Sequence, residues 1–264
     1  MLKLEWYQAL WGLSEPFEEK FKQIKEEGYT GVEGNLEDIK DLDELRRLLK
    51  KYDLKFAPLA KTYGPDHFES FKRNCELAMS FNSTYMNSHT GRDTMSFEEQ
   101  DELFAKILEY EKTLPMPVYH ETHRSRPTFA PFTTLRLVEK FPEIRLTADF
   151  SHWCNVCESL LEDQQETMAK IIPHVGHVHA RVGYDEGPQA PDPAAPEYLA
   201  AVLAHEAWWK EIAKLHKGGT LTVVPEYGPP GYLHTLPYTN QPVSDMLEVR
   251  RWAKARFEEM VKAI

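Results

Sequence analysis

Short apolar runs alternate with longer amphipathic stretches along the whole chain. The first run, LEWYQAL at 4–10, precedes a stretch in which Phe17, Phe21 and Ile24 recur at spacings of four and three. This spacing places the three side chains on one face of a helix, and Gly28 marks the end of that helix. The same order of a short apolar run and an amphipathic helix then repeats to the end of the chain.

The pattern predicts eight strands, each followed by a helix. The predicted strands are residues 4–10, 30–35, 54–60, 84–89, 116–124, 145–151, 175–181 and 219–230. Strict alternation with no break in composition is typical of a parallel (β/α)8 barrel, and 264 residues suit one such barrel. A doubly wound open sheet is the alternative, but no glycine-rich phosphate loop follows the first strand. We therefore predict a single α/β TIM-barrel domain over residues 1–264.

Composition narrows the classes of partner and location. The chain has 31 basic and 42 acidic residues, a formal net charge of -11. A surface with this charge repels a phosphate backbone, so we expect no nucleic-acid partner. No run approaches the ~18 apolar residues of a membrane span, and the N-terminal stretch lacks the uninterrupted apolar segment of a signal peptide. Three cysteines do not predict a disulfide framework, and we expect a cytoplasmic protein that does not bind membranes.

Ionisable side chains follow each of the last five predicted strands. They are His89, Glu121, Asp149, His179 and Glu226. In a barrel, catalytic groups lie at the carboxyl ends of strands, and neighbouring strands are ~5 Å apart, so these side chains can meet. When three carboxylates lie so close together, each raises the pKa of the others unless a cation lies between them. We predict that Glu121, Asp149, His179 and Glu226 hold one divalent ion, Mn²⁺ first, with Mg²⁺, Co²⁺ or Zn²⁺ as alternatives.

Two histidines compete for one position in this set. His177 and His179 are two residues apart on a strand and therefore share a face. One is predicted to be the ligand, and the other a deeper, hydrogen-bonded residue of the barrel. His179 lies nearer the strand end and is the preferred ligand, although the spacing alone leaves His177 open.

Several segments resemble the xylose isomerase-like superfamily. They are VYHETHR (118–124), ADFSHW (148–153), GHVHAR (176–181) and VPEYG (224–228), and GYTGVEG (28–34) resembles the early glycine-rich strand of that family, which ends in glutamate. More narrowly, the chain is similar to the sugar phosphate isomerase/epimerase group, which includes the ketose 3-epimerases. The resemblance extends over essentially the whole barrel.

The resemblance implies roles for individual residues. It implies that Glu121, Asp149, His179 and Glu226 are metal ligands and that His152 contacts the substrate beside the metal. The implied reaction is proton transfer next to a carbonyl, in which the ion binds substrate oxygens and stabilises a cis-enediolate. Glu121 and Glu226 would remove and return the proton as catalytic residues. The expected substrate is a sugar, a sugar phosphate or a related hydroxy-keto compound of carbohydrate metabolism.

The chain departs from the ketose 3-epimerase pattern at two positions. Those enzymes have a second glutamate six residues after the first metal glutamate, where this chain has Pro127. They also have an arginine six residues after the ligand histidine, where this chain has Asp185. The residues that hold the substrate therefore differ, and the resemblance does not imply activity on a free ketose. Family members are often dimers or tetramers, so a homo-dimer or tetramer is possible here.

Candidate substrate-binding residues lie near the same ends of the strands. Each of Arg124, Arg126 and Arg181 taken alone predicts a surface salt bridge. Taken together they are candidates for binding a phosphate or carboxylate on the substrate, because guanidinium groups bind such anions with two parallel hydrogen bonds. His89 and His152 complete the predicted set of substrate-binding residues.

Three alternatives share parts of this pattern. An inosose-type dehydratase would use the same metal site and an enolate intermediate. An endonuclease IV-like nuclease would need a three-metal cluster, for which His89 and His67 are possible extra ligands. The segment after His179, ARVGYDEGPQAPDP, lacks the D-x-H pair of those nucleases. A non-catalytic barrel that binds a sugar or a partner is the third alternative, but it would not require both Glu121 and Glu226.

Overall fold

The computed structural model describes residues 2–14 and 16–264. Eight parallel strands form a closed barrel in which each strand pairs with its neighbours in chain order and β1 pairs with β8. The strands are β1 Lys3–Ala9, β2 Gly31–Asn35, β3 Lys55–Lys61, β4 Met86–His89, β5 Val118–Glu121, β6 Leu146–Ala148, β7 Val175–His179 and β8 Thr220–Val224. The prediction of a single (β/α)8 barrel is confirmed.

Helices lie between the strands and after the last one. They are α1 Phe17–Glu26, α2 Leu42–Tyr52, α3 His67–Ser80, α4 Phe97–Glu111, α5 Pro131–Lys140, α6 Ser151–Cys157, α7 Gln165–Ile171, α8 Leu199–Leu215 and α9 Met246–Lys262. Two short 3₁₀ helices precede β7 and α8, at Ile172–His174 and Pro196–Tyr198. None of the helices in residues 2–14 and 16–264 combines the length and the apolar character needed to cross a bilayer.

The last four strands end earlier than the sequence pattern predicts. They end at Glu121, Ala148, His179 and Val224. The backbone turns at once after two of these residues, because His123 N donates to Glu121 O and Arg181 N donates to His179 O, both at 2.9 Å. A hydrophobic pattern cannot distinguish such a tight turn from a continuing strand. The turns leave the side chains of Glu121 and His179 at the mouth of the barrel.

The hydrophobic pattern predicts one helix after β6, at 160–172, whereas the structure has two. Helix α6 begins at Ser151, two residues after Asp149, and α7 begins only at Gln165. Between the two helices Glu158 and Leu161 adopt left-handed backbone conformations, with φ of 48° and 58°. These conformations interrupt the helical hydrogen bonds, although neither residue type favours them.

Aromatic rings fill the barrel below its carboxyl end. Tyr7 and Tyr85 are fully buried, and their ring centroids lie 5.2 Å apart in an edge-to-face arrangement. Two glycines make room for the rings, since a Cβ on Gly31 would lie 2.6 Å from the Tyr7 ring. A Cβ on Gly176 would lie 2.2 Å from the ring of Tyr119. The interior is therefore a packed floor on which the polar side chains at the strand ends rest.

A buried arginine in α9 joins the two strands that close the barrel. Arg250 is 1% exposed, and its guanidinium donates to the carbonyl oxygens of Tyr227 at 3.0 Å, Ala9 at 2.9 Å and Trp11 at 2.7 Å. Burial lowers the pKa of Arg250 to about 10, so the group is still charged at neutral pH. Its hydrogen bonds fix the segments that follow β1 and β8 relative to each other.

We expect Arg250→Met to lower the free energy of unfolding by about 3 kcal/mol, because three buried carbonyl groups lose a charged donor. Arg251→Met is the matched control, because Arg251 forms half-exposed ion pairs with Glu27 and Glu248, and such pairs contribute about 1 kcal/mol or less. Urea unfolding followed by circular dichroism measures both values. Equal effects of the two substitutions would contradict this account of Arg250.

Candidate functional site

The mouth of the barrel contains a cavity of about 360 Å³. Its polar lining comes from the ends of six strands and the loops that follow them, and it includes Glu33, Lys61, His89, Glu121, His123, Arg181 and Glu226. Asp149 and His179 lie against the same cluster and are fully buried. The cavity therefore lies at the carboxyl ends of the strands, where barrel enzymes carry their reactive groups.

Three carboxylate groups surround one nitrogen of His179. The Nδ1 atom of His179 lies 2.9 Å from Glu226 Oε2, 3.6 Å from Glu121 Oε2 and 3.9 Å from Asp149 Oδ2. Ligand atoms of Asp149, His179 and Glu226 all lie within 4.8 Å of one another. The structure thus brings together the four residues predicted to be metal ligands, and their binding of an ion stays a prediction.

The cluster fits a divalent cation. His179 Nδ1 and Glu226 Oε2 are both buried, and neither has a hydrogen-bond partner although they are 2.9 Å apart. Buried polar atoms almost always have a partner, and a cation between these two would serve both. Three carboxylate groups and one imidazole form an oxygen-rich set that suits Mn²⁺ or Mg²⁺ and also accepts Zn²⁺ or Co²⁺.

The orientation of the two β7 histidines favours His179 as the member of this cluster. Glu33 Oε1 lies 2.8 Å from His179 Nε2, which leaves His179 Nδ1 directed at the three carboxylates. His177 uses both of its nitrogens within the barrel, since Nε2 lies 3.3 Å from Glu33 Oε2 and Nδ1 lies 3.0 Å from the carbonyl oxygen of Thr222. His177 is therefore hydrogen-bonded within the floor of the barrel, as predicted for the deeper of the two histidines, while the identity of the ligand stays a prediction.

Glu33 was not among the residues predicted for the site. It is 4% exposed on β2, and the hydroxyl of Tyr85 donates to its Oε2 at 3.1 Å. Burial raises the pKa of Glu33, but the charge on His179 and hydrogen bonds from both β7 histidines outweigh burial and lower it to about 2. A carboxylate on the far nitrogen of a ligand histidine fixes the ring and raises its basicity. The sequence does contain a signal that identifies Glu33, because this residue lies near the end of a predicted strand just as Glu121 does.

Glu121 is held by two donors. Asn87 Nδ2 donates to Glu121 Oε2 at 2.6 Å, and His89 Nε2 lies 2.8 Å from the same oxygen. His89 lines the cavity, and its Nδ1 is buried with no hydrogen-bond partner. Ligand atoms of His89, Glu121 and His123 form a second group within 4.8 Å of one another. Contact of His89 with the substrate stays a prediction, while its contact with Glu121 is direct.

Three imidazole rings lie in contact beside the carboxylates, each tilted relative to the next. The ring of His123 lies between those of His89 and His152, with centroid distances of 4.2 and 3.9 Å. Burial lowers the pKa of both His123 and His152 well below the usual value, so both are neutral at neutral pH. Arg181 Nη2 donates to His152 Nε2 at 2.7 Å, which places the proton of His152 on Nδ1. That Nδ1 is buried and has no partner.

Two of the three candidate arginines are buried, and the expectation of surface salt bridges is wrong for them. Arg181 is 2% exposed, is paired with Asp149 Oδ2 and lies 3.7 Å from Glu226 Oε2. Arg126 is 5% exposed and also lines the cavity. The sequence could not show their burial, because the loops that cover them are distant along the chain.

The third arginine contacts an aromatic ring that the sequence did not single out. The guanidinium carbons of Arg124 and Arg181 lie 4.9 and 5.0 Å from the ring centroid of Tyr232. Tyr232 comes from the long loop between β8 and α9 and lines the cavity. No spacing in that loop points to a site, so its role depends on tertiary structure alone.

The excess of buried negative charge alters the protonation of the site. Burial raises the pKa of Asp149, Arg181 opposes this, and Glu226 and Glu121 add to it, with a result of about 7. Burial opposes a charge on His179, but Glu226, Glu33 and Glu121 raise its pKa well above the usual value. In the absence of a metal ion, protons therefore compensate the charge that a divalent cation would otherwise neutralise.

We expect His179 in the chelator-treated protein to keep its extra proton above neutral pH, while His123 and His152 stay neutral at a pH where an ordinary histidine is already protonated. A raised pKa means that the contribution of His179 to stability is complete below pH ~6.5 and is lost as pH rises through the folded-state value. Nitrogen-15 NMR of the histidine rings measures each titration. Glu226→Gln should lower the pKa of His179, and an unshifted His179 in the unsubstituted protein would refute the account.

Comparison with known proteins agrees with the fold. The family model for the xylose isomerase-like TIM barrel matches residues 21–189. An AP endonuclease of family 2 from Brucella melitensis has a TM-score of 0.57 and 19% identity, covering 87% of this chain and 95% of that one. The probable 3-DHS dehydratase AsbF from Bacillus anthracis has a TM-score of 0.57 and 14% identity, covering 98% of both chains. No curated protein matches. On the match over residues 21–189, the chain belongs to the xylose isomerase-like TIM-barrel family.

Proposed function

We propose that the protein is a divalent-metal-dependent isomerase or epimerase that acts on a sugar, a sugar phosphate or a related hydroxy-keto compound. The observation that carries the proposal is the convergence of three carboxylates on His179 Nδ1, where His179 Nδ1 and Glu226 Oε2 lie 2.9 Å apart and, within the described residues, neither makes a hydrogen bond. Glu121, Asp149, His179 and Glu226 would hold the ion, for which Mn²⁺ is the first choice.

A bound divalent ion would supply Lewis-acid stabilisation of the charge that develops on a substrate oxygen. The chain itself supplies the groups that move the proton. Glu121 and Glu226 both line the cavity. Burial raises the pKa of each, but neighbouring cationic groups outweigh it, lowering the pKa of Glu121 well below the usual value and that of Glu226 to about 2. Both are therefore carboxylates at neutral pH and can act as bases.

In an isomerisation, one carboxylate would take the proton from the carbon next to the carbonyl and return it to the former carbonyl carbon of the cis-enediolate, while the hydroxyl proton passes from the oxygen of the first carbon to that of the second. In an epimerisation, the second glutamate would have to take up a proton from solvent before it delivers that proton to the opposite face of the same carbon, while the first glutamate releases the proton that it removed. His152 Nδ1 carries a proton and has no hydrogen-bond partner among residues 2–14 and 16–264, but the ring is fully buried and does not line the cavity, so its contact with the substrate stays a prediction. Arg181 holds the other nitrogen of that ring and so fixes its orientation.

The nuclease alternative has less support from the site. His67, one of the possible extra ligands, lies with Nδ1 2.7 Å from the hydroxyl of Thr62. It belongs to none of the potential metal-binding groups found among residues 2–14 and 16–264. The cavity of about 360 Å³ is near the lower end of the range for small-molecule sites and suits a compound the size of a monosaccharide.

The first test follows solvent deuterium into keto-sugars, keto-acids and sugar phosphates with metal-loaded protein. We expect exchange at the carbon next to the carbonyl, and Glu121→Gln and Glu226→Gln should each reduce its rate by about 10²–10⁴-fold where metal analysis shows that the ion is retained. Glu5→Gln is the control, because Glu5 is a buried glutamate of β1 paired with Lys3 and Lys55, away from the cavity.

Two results would change the assignment. Exchange accompanied by loss of water from the product would identify a dehydratase with the same metal site. Absence of exchange with every compound, from protein that retains its metal, would contradict the isomerase proposal.

The second test concerns Glu33. We expect Glu33→Gln to weaken metal binding by about 10–100-fold, because the variant loses the carboxylate that orients His179 and raises its basicity. Competition with a metallochromic chelator measures the affinity. Glu37→Gln is the matched control, because Glu37 lies in the next loop and accepts a hydrogen bond from Tyr63. Equal affinity of Glu33→Gln and the unsubstituted protein would remove Glu33 from the metal site.

A further inference from the structure

One wall of the cavity carries cationic side chains that the proposed proton transfer does not use. Lys61 ends β3, Arg92 lies in the loop after β4, and Arg126 lies in the loop after β5. All three line the same cavity as Glu121 and Glu226. The wall is thus formed by three successive strand ends, at one side of the metal-binding cluster.

Arg126 is buried and, among the residues that the structure describes, forms no ion pair. It is 5% exposed, its Nη1 donates to the carbonyl oxygen of Gly91 at 2.8 Å, and its Nε is buried with no hydrogen-bond partner. Within residues 2–14 and 16–264, no carboxylate forms an ion pair with it. A buried charge without a partner is costly, so the geometry indicates a partner that the chain itself does not supply.

Arg92, beside Arg126, also lacks a close anionic partner. Arg92 makes only a long contact with Asp93, at 3.9 Å, and its side chain is about half exposed. The loop that carries it is fixed, because Gly91 adopts a left-handed conformation with φ of 68° and its N–H donates to the Thr62 hydroxyl at 2.8 Å. Gly91 is also the residue whose carbonyl holds Arg126. The two arginines are therefore positioned by one short turn.

The other arginines of the mouth already have partners. Arg181 is bound to Asp149 and to His152, and Arg124 lies against the ring of Tyr232. With a net charge of -11, the protein as a whole repels anions, so a local cluster of cations is needed where an anionic ligand binds. Lys61, Arg92 and Arg126 form such a cluster inside the cavity.

We propose that Arg126, with Arg92 and Lys61, binds an oxyanion carried by the substrate, either a carboxylate or a phosphate. Guanidinium groups bind both with paired hydrogen bonds. The inference deepens the proposed function and rests on it only for the statement that the ligand is the substrate. It narrows the substrate class to sugar acids and sugar phosphates and excludes neutral sugars as the preferred substrates.

The test titrates metal-loaded protein with orthophosphate and, separately, with acetate, in an isothermal titration calorimeter at constant ionic strength. We expect one or both anions to bind, and Arg126→Gln to weaken that binding about tenfold or more, which is the effect of losing one charged hydrogen bond. Arg126→Lys should weaken it less. Arg145→Gln is the control, because Arg145 is exposed just before β6, at the opposite end of the barrel, and should leave the affinity unchanged. Circular dichroism checks that each variant is folded, and Arg92→Gln replaces Arg126→Gln if the latter does not fold.

Each outcome supports or overturns the proposal. Tighter binding of orthophosphate points to a phosphate ester, and equal or tighter binding of acetate points to a carboxylate. Absence of binding of either anion overturns the oxyanion site. Binding that Arg126→Gln and Arg92→Gln leave unchanged also overturns it, because the anion would then be an adventitious ion only, bound at the metal.

Failure of this proposal is distinguishable from failure of the proposed function. Deuterium exchange into a neutral ketose that Arg126→Gln does not affect would leave the isomerase intact and remove the oxyanion site. Anion binding that depends on Arg126, without exchange into any compound, would support the site and contradict the isomerase.

Discussion

The crowding of buried carboxylates around His179 is the constraint on which the mouth of the barrel depends. Glu33, Glu121, Asp149 and Glu226 are all nearly excluded from solvent, and His179 and Arg181 lie in direct contact with them and offset part of their charge. Four ionised carboxylates cannot share so small a volume without further positive charge. The raised pKa of Asp149 and of His179 shows how the chain adjusts when only protons are available. A divalent cation would replace those protons, which links metal binding to proton release.

The barrel can hold this arrangement because its interior is rigid below the cluster. Tyr85 packs against Tyr7 and also donates a hydrogen bond to Glu33, the carboxylate that contacts His179 Nε2. The aromatic floor is therefore connected directly to the residue that orients His179. Thr147 donates to Asn87 Oδ1, and Asn87 in turn donates to Glu121, which extends the same support across β4, β5 and β6. The side chains at the cavity are thus held by polar contacts within the floor rather than by the surface loops alone.

The sequence predicted the fold and part of the site for different reasons. The alternation of short apolar runs with amphipathic helices determines a barrel, because each strand must be covered by a helix on its outer face. The rule that strand ends converge then places Glu121, Asp149, His179 and Glu226 near one another. That rule also applied to Glu33, but the early strands were the least distinct in the pattern. The positions of Arg126 and Tyr232 depend on how long loops fold back, which no local pattern encodes.

The two halves of the cavity have opposite charges, and this division has a consequence for selectivity. The carboxylates that follow β5 to β8 would bind a cation and transfer a proton. The cationic side chains that follow β3 to β5 line one wall of the same cavity. A substrate with an anionic group at one end and a hydroxy-keto group at the other can satisfy both halves in only one orientation. Binding energy from the anionic end then serves to position the reacting carbon, and positioning of this kind accelerates proton transfer without changing the chemistry itself. A neutral sugar would leave Arg126 buried and unpaired, so the discrimination against it comes from the cost of that unpaired charge as much as from the hydrogen bonds that an acid would form.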